Sequence, residues 1–260
     1  MELQGSVALV TGAGSGIGRA SAIKLAQEGA AVAAIGRTES ELLQTVSEFE
    51  RAGGRGIALV ADVALENGMR EAVARTVEAF GRIDIVVANA GINGVWAPLA
   101  DLRPDEWDKT IAINLRGTYL TLHYAVPHLK AAGGGSIIIM SSINGTRTFT
   151  TAGASAYAAT KAAQLALAQQ LALELGKHRI RVNAVCPGQI DTAIPDNTFK
   201  RNVDEARVPV VWPDGDIPIT GGKPGQSEDV ADVVVFLASP RSRHITGTPI
   251  WIDGGQSLLR

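Results

Sequence analysis

The feature that most constrains this chain lies near its start. An apolar run, Val7–Thr11, opens directly into Gly12-Ala13-Gly14-Ser15-Gly16-Ile17-Gly18 and then into a helical pattern. Glycines let a backbone turn tightly off a strand and approach a bound group closely. The helix that follows aims free N–H groups and its positive end at that group. Such a turn suits a pyrophosphate, with Gly12, Ser15, Gly16, Ile17 and Gly18 as candidate contacts. The spacing Gly12-x3-Gly16-x-Gly18 differs from G-x-G-x-x-G, and without a following Gly-Lys-Ser/Thr it is not a P-loop.

Short apolar runs continue to alternate with longer helical patterns, which predicts a parallel α/β sheet with helices on both faces. Strands are expected at Val7–Thr11, Ala31–Ile35, Gly56–Val60, Ile83–Ala88, Ser136–Met140, Arg181–Val185 and Thr248–Ile252. Helices are expected at about 17–29, 39–52, 65–80, 104–132, 154–177 and 228–238. Thr38-Glu39-Ser40-Glu41 reads as a capping box, and Ser227 before Glu228-Asp229 as a helix start; Gly53-Gly54 and Gly133-Gly134-Gly135 close helices. Pro187–Gly225 holds six of the eleven prolines and lacks periodicity, the character of a lid or binding loop.

Composition narrows the class. With 46% apolar and 19% charged residues over 260 positions, the chain reads as a soluble globular enzyme needing no metal or disulfide staple. A net charge of −2 disfavours nucleic acid and anionic membrane as partners. No apolar run approaches the ~18–20 residues of a membrane span. Cys186, the single cysteine, excludes an intrachain disulfide and fits a reducing compartment. Met1–Gly5 carries no basic segment, so no signal peptide is expected and the expected location is cytoplasmic. His123, His128, His178 and His244 share no metal-ligand spacing, and no metal is expected.

The second strand decides the nucleotide. A carboxylate at its end would bind a free ribose 2′-hydroxyl. Here Gly36 and Arg37 stand there, leaving room for a 2′-phosphate and supplying a guanidinium to pair with it. NADP(H) is favoured and NAD(H) stays possible, since Arg37 also reads as a solvated loop residue. Farther on, Tyr157 and Lys161 stand one helical turn apart. A neighbouring ammonium favours phenolate, so the tyrosine pKa is expected to fall from ~10, fitting it for proton exchange with an alcohol or carbonyl oxygen. Ser141-Ser142 end the fifth strand at the ligand-binding edge of such sheets.

Taken in order, Thr11-Gly12-x3-Gly16-x-Gly18, Asp62-Val63, Asn89-Ala90-Gly91, Asn114, Ser142, Tyr157-x3-Lys161 and Pro187-Gly188 resemble the short-chain dehydrogenase/reductase family over nearly the whole chain. The resemblance implies one Rossmann-type domain over residues 1–260, a doubly wound, parallel, seven-stranded sheet, with residues 189–226 as the substrate loop. It implies that Tyr157 exchanges the proton, Ser142 orients the substrate oxygen, Lys161 binds the nicotinamide ribose, and Asn114 holds a water linking Lys161 to solvent. Asp62 and Val63 would contact adenine, although Asp62 also reads as a helix-starting acid. Asn89, Ala90 and Gly91 would line the sugar and nicotinamide side, and Pro187, Gly188, Ile190 and Thr192 the nicotinamide and its carboxamide.

Two departures stand out. Ala88 replaces the first Asn of the family's Asn-Asn-Ala-Gly. The interval between Ser142 and Tyr157 is longer than usual, which leaves Ser141 and Asn144 as substitutes for Ser142. Trp96, Asn144 and Trp212 are candidate substrate walls, Trp212 reading equally as packing under the lid or at a subunit contact. The expected partner is a small alcohol or ketone. The resemblance further implies a homotetramer, with Ala162, Leu165, Ala166, Gln169 and Leu173 as core or interface. A non-catalytic NAD(P)-binding sensor or scaffold needs only the dinucleotide half, so the intact Asn114, Ser142, Tyr157 and Lys161 weigh against it. A sugar-nucleotide epimerase would need a larger C-terminal substrate domain.

Overall fold

The computed structural model describes residues 1–192, 198–209 and 217–259. Its strands are β1 (Val7–Thr11), β2 (Ala31–Gly36), β3 (Arg55–Val60), β4 (Ile85–Ala88), β5 (Val95–Trp96), β6 (Gly135–Met140), β7 (Ile180–Pro187), β8 (Phe199–Lys200) and β9 (Pro249–Ile252). The helices are α1 (Gly16–Gln27), α2 (Glu39–Arg51), α3 (Glu66–Phe80), α4 (Pro104–Ile111), α5 (Gly117–Ala131), α6 (Ser155–Gly176) and α7 (Ser227–Ala238). Seven strands pair in parallel in the order β3-β2-β1-β4-β6-β7-β9, the expected Rossmann-like sheet.

Alternation along each strand divides the core between two faces. Leu9, Ile35, Val86, Ile137, Ile139 and Val182 meet Met69 and Val73 of α3, Leu122 and Leu129 of α5, and Ala168 and Leu175 of α6. Val10, Val32, Val87, Ile138 and Val185 meet Leu25 of α1, Leu42 and Phe49 of α2, and Val230 and Val234 of α7. Each large aliphatic side chain taken from water contributes ~1.5–3 kcal/mol, enough across this list to order both layers. Strand order reverses between β1 and β4, and a crevice opens at their carboxyl ends, where α/β sheets bind ligands.

The local expectations need four corrections. The helix expected over 104–132 is split by a π-helical turn, Ala112–Arg116, between α4 and α5. Thr38 makes no side-chain cap, and the Glu41 carboxylate lies near Gly14 at the cleft. Gln226, not Ser227, caps α7, with Asp229 Oδ2 accepting from Gln226 N at 2.7 Å. The long loop contains β8, which pairs in parallel with β5. Among the described residues, no helix is long and apolar enough to cross a membrane.

Candidate active site

A cleft of about 1250 Å³ lies along the carboxyl edge of the sheet. It collects the sequence-predicted residues with two exceptions: Asn114 sits just behind its wall, and Trp212 lies outside the described residues.

One end of the cleft is built by close backbone approach. Thr11 Oγ1 accepts from Asn89 N at 3.0 Å and Ala90 N at 3.1 Å, and Asn89 Nδ2 donates to Thr11 O at 3.0 Å. These bonds tie β1 to the exit of β4 at the switch point. Gly12 has φ +67, and a Cβ there would lie 2.8 Å from Asn89 Nδ2; one on Gly18 would lie 2.1 Å from Gly12 O. Only glycine permits this approach of strand to helix. Ser15, the exposed residue before α1, makes no side-chain cap bond, so its hydroxyl faces the cleft beside the N–H groups of Gly16 and Ile17. This cradle, open at the positive end of α1, fits a pyrophosphate.

Arg37 is exposed at the cleft margin and makes no ion pair among the described residues. Asp62 follows β3, and its Oδ1 accepts from Ala64 N at 2.9 Å; α3 begins only at Glu66, so Asp62 is a turn residue of the cleft, not a helix-starting acid. Val63 packs under Gly117, where a Cβ would meet Val63 Cγ2 at 2.7 Å. Across the cleft, Pro187 ends β7, Gly188 N donates to Ile252 O at 2.9 Å, and Ile190 bridges Gly225. Thr192 leans toward Gly16, its Cγ2 being 3.2 Å from where a Cβ would stand.

The titratable group occupies the centre. Tyr157 and Lys161 stand in the first turns of α6. Lys161 is 4% exposed and its Nζ donates to Met140 O at 2.8 Å, 5.4 Å from the Tyr157 ring centroid. Burial raises the Tyr157 phenol above its ordinary value, with Ser142 opposing, and pushes Lys161 down to about 8. The shift is opposite to the expected depression: desolvation of the phenolate outweighs the hydrogen bond from Ser142. Among the serines, Ser141 Oγ donates to Lys161 O at 2.7 Å and pins α6 to β6, whereas Ser142 faces the phenol. Asn144 donates its N–H to Ser142 Oγ at 3.1 Å and accepts from Thr151 Oγ1 at 2.7 Å, a supporting place instead of a substitute's.

Asn114 explains the π turn. Its side chain exchanges bonds of 2.8 Å with both Ile92 N and Ile92 O and donates to Thr160 Oγ1 at 3.2 Å. Its backbone oxygen accepts from Gln164 Nε2 at 2.9 Å and Thr118 Oγ1 at 2.7 Å. The wide turn brings a buried amide to the loop after Gly91 and to α6 together. Asn114 Oδ1 accepts once, from Ile92 N, which leaves a second lone pair for a water.

Beyond Trp96, expected as a wall, the other rim is a side-chain construction that the sequence did not announce. Trp96 lines the cleft, its Nε1 donating to Asn93 O at 3.2 Å, with the Lys200 ammonium 5.6 Å from its ring. Phe199 lines it as well, and Arg201 joins Glu106. No local signal marks these residues, since Glu106 and Arg201 are 95 positions apart.

Known proteins resemble this chain throughout. A family profile described as enoyl-(acyl carrier protein) reductase matches residues 12–257. The crystal structure of a 3-ketoacyl-ACP reductase from Sinorhizobium meliloti 1021 superposes with a TM-score of 0.95 at 65% identity, covering 98% of this chain and 100% of that one. The 3-oxoacyl-(acyl-carrier-protein) reductase FabG of Thermotoga maritima is 37% identical over 257 residues, 98% of this chain and 99% of its own. L-rhamnose 1-dehydrogenase (NAD(P)(+)) of Sphingomonas sp. is 39% identical over 261 residues, 97% of this chain and 96% of its own.

Proposed function

The chain belongs to the short-chain dehydrogenase/reductase family, an oxidoreductase of CH–OH and C=O groups that works with NAD(P), and from that premise we propose an NADPH-favouring ketone reductase in which Tyr157 is general acid and base. The observation that carries the reading is the convergence of Ser142, Tyr157 and Lys161 in the same cleft as the glycine cradle. The whole chain would act as one unit, with 189–226, of which 193–197 and 210–216 lie outside the described residues, as its substrate segment.

The fit to a dinucleotide rests on the cradle: added Cβ atoms at Gly12 and Gly18 would fill it. Gly12, Ser15, Gly16, Ile17 and Gly18 would hold the pyrophosphate, Arg37 the 2′-phosphate, and Asp62 with Val63 the adenine. Asn89, Ala90, Gly91, Pro187, Gly188, Ile190 and Thr192 would flank the nicotinamide half. When bound, the nicotinamide supplies the hydride. In reduction, Tyr157 gives its phenolic proton to the oxygen that becomes the alcohol, a transfer within its reach because burial keeps the phenol protonated at neutral pH. Ser142 donates a hydrogen bond to that oxygen and fixes its direction. Lys161 stabilises the phenolate as it forms and holds ribose hydroxyls, while Asn114 keeps the loop after Gly91 in place.

The preference for NADPH is supported by Arg37 and by the missing carboxylate at Gly36. A small ketone or secondary alcohol suits the partly apolar space between Trp96 and Tyr157. Assembly into a homotetramer is supported by α6. Ala162, Ala166, Gln169 and Leu173 are exposed, while Leu165 packs against the core, which leaves the exposed four to favour an interface. Fluorescence titration with each reduced cofactor, followed by a ketone panel with the tighter one, tests the reading. Tighter NADPH binding and turnover of at least one ketone are expected. Absence of binding, or binding without any turnover across the panel, overturns it.

A further inference from the structure

The chain from Thr198 to Asn202 is fastened to the opposite rim by contacts outside the catalytic group. Asn93 Nδ2 donates to Thr198 Oγ1 at 2.7 Å. Val95–Trp96 then pair with Phe199–Lys200, and Arg201 N donates to Trp96 O at 2.9 Å. The Arg201 guanidinium forks onto Glu106, donating through Nη1 at 3.0 Å and Nη2 at 2.7 Å, and also donates to Asp101 O. Asn202, at φ +48, donates to Asp101 Oδ2 at 2.9 Å.

A two-residue parallel pairing has too few bonds to stay registered alone. The fork supplies what is missing, because two parallel charge-assisted bonds fix direction as well as distance. The Glu106 side chain is 8% exposed and that of Arg201 27%, so water competes poorly for the pair. Arg201 beside it holds the Glu106 carboxyl down at about 2, and the pair stays charged throughout the neutral range. Glu106 belongs to α4, which runs directly into the turn bearing Asn114. The same rim is pressed onto α4 at Gly94, φ +70, where a Cβ would lie 2.2 Å from Thr110 Oγ1.

We infer that Arg201 and Glu106 form a specificity latch, positioning Phe199 beside Val95 as the outer wall of the ketone cleft without touching substrate or cofactor. The inference rests on the ketone-reductase reading of that cleft. Bulky ketones reach the wall and depend on its placement; the smallest ones do not. Arg103 Nη2 also pairs with Glu106 at 2.9 Å, so removing Arg201 leaves the carboxylate neutralised and the helix start intact.

Arg201→Met in the full chain is the test. KM for the bulkiest accepted ketone should rise about tenfold, with kcat for that ketone, KM for the smallest ketone and the dissociation constant of NADPH each within about twofold. Arg201→Lys, which keeps the charge and loses the fork, should fall between. Unchanged discrimination between the two ketones overturns the latch. So does a uniform fall in kcat or a loss of NADPH affinity, either of which marks a structural or catalytic role. If Arg201→Met does not fold, Glu106→Gln is judged by the same measures. Wild-type protein that binds NADPH but reduces no ketone defeats the functional reading instead. In that event chymotrypsin cleavage after Phe199 decides the latch: about tenfold faster cutting in the variant supports it, and an equal rate overturns it.

Discussion

The two ends of the cleft are made by different means. At the cofactor end, position is enforced by backbone crowding: Gly18 admits no Cβ beside Gly12 O, and Asn89 stitches one loop to the next strand's exit. At the substrate end, position comes from long side chains reaching across, as Arg201 does to Glu106 and Asn93 to Thr198. A backbone-built half resists variation and suits a ligand common to many relatives. A side-chain-built half is altered by single substitutions without disturbing its neighbour. The comparison teaches that one scaffold separates what it must hold constant from what it is free to change.

This division is open to attack. The largest effect is expected from Tyr157→Phe, which should lower kcat by about 10²–10⁴-fold while a fluorescence titration shows NADPH affinity within about twofold. A matching loss of affinity would mean that the centre belongs to the cofactor end. Next, Gly18→Ala forces α1 away from β1; overpacking of this kind costs ~1–3 kcal/mol, so NADPH should bind about tenfold more weakly and the melting temperature should fall. If ketone selection changed instead, the two ends would not be separable. Arg37→Asp should move the NADPH/NADH affinity ratio toward NADH by about 10–100-fold, the scale of a charged hydrogen bond. An unmoved ratio makes Arg37 a bystander.

The smallest effect concerns pH. Burial holds Lys161 at about 8 against an ordinary 10.5, so between those values the unfolded chain binds a proton that the folded chain has released. Stability attributable to Lys161 therefore rises with pH through that window. Above pH ~10 the raised Tyr157 reverses the gain, because the folded state then keeps a proton that the unfolded state loses. The melting temperature of wild type relative to Lys161→Met should climb by a few degrees from pH 8 toward 10. A flat difference would show the ammonium to be better solvated than its burial implies.

Much of the first half of this account was legible in the chain. Ile137-Ile138-Ile139 read as a strand covered on both sides, and Gly12 to Gly18 as a tight turn suited to a pyrophosphate. Tyr157 and Lys161 were visible because one helical turn separates them. What escaped is what depends on tertiary neighbours. Burial reversed the Tyr157 shift, and no local pattern reports burial. The stripe from Ala162 to Leu173 read as apolar, but α6 is apolar on both faces, so periodicity did not say which one is covered. Thr38 has the sequence of a cap but makes no side-chain bond at the start of α2. The ribbon of β5 and β8 spans two residues on each side, too few to leave a signature.

The π turn at Ala112–Arg116 carries one consequence beyond the cleft. It holds an additional residue within an otherwise regular spiral, so every side chain after it is rotated by roughly 100° from where plain winding would set it. Leu122, Ala125 and Leu129, beyond that offset, are buried. Deleting one residue there would restore ideal winding and leave those side chains facing the core, while pulling Asn114 from Ile92. Length in this stretch is thus set by the placing of Asn114, and a scan of single-residue deletions should find activity lost there more readily than folding.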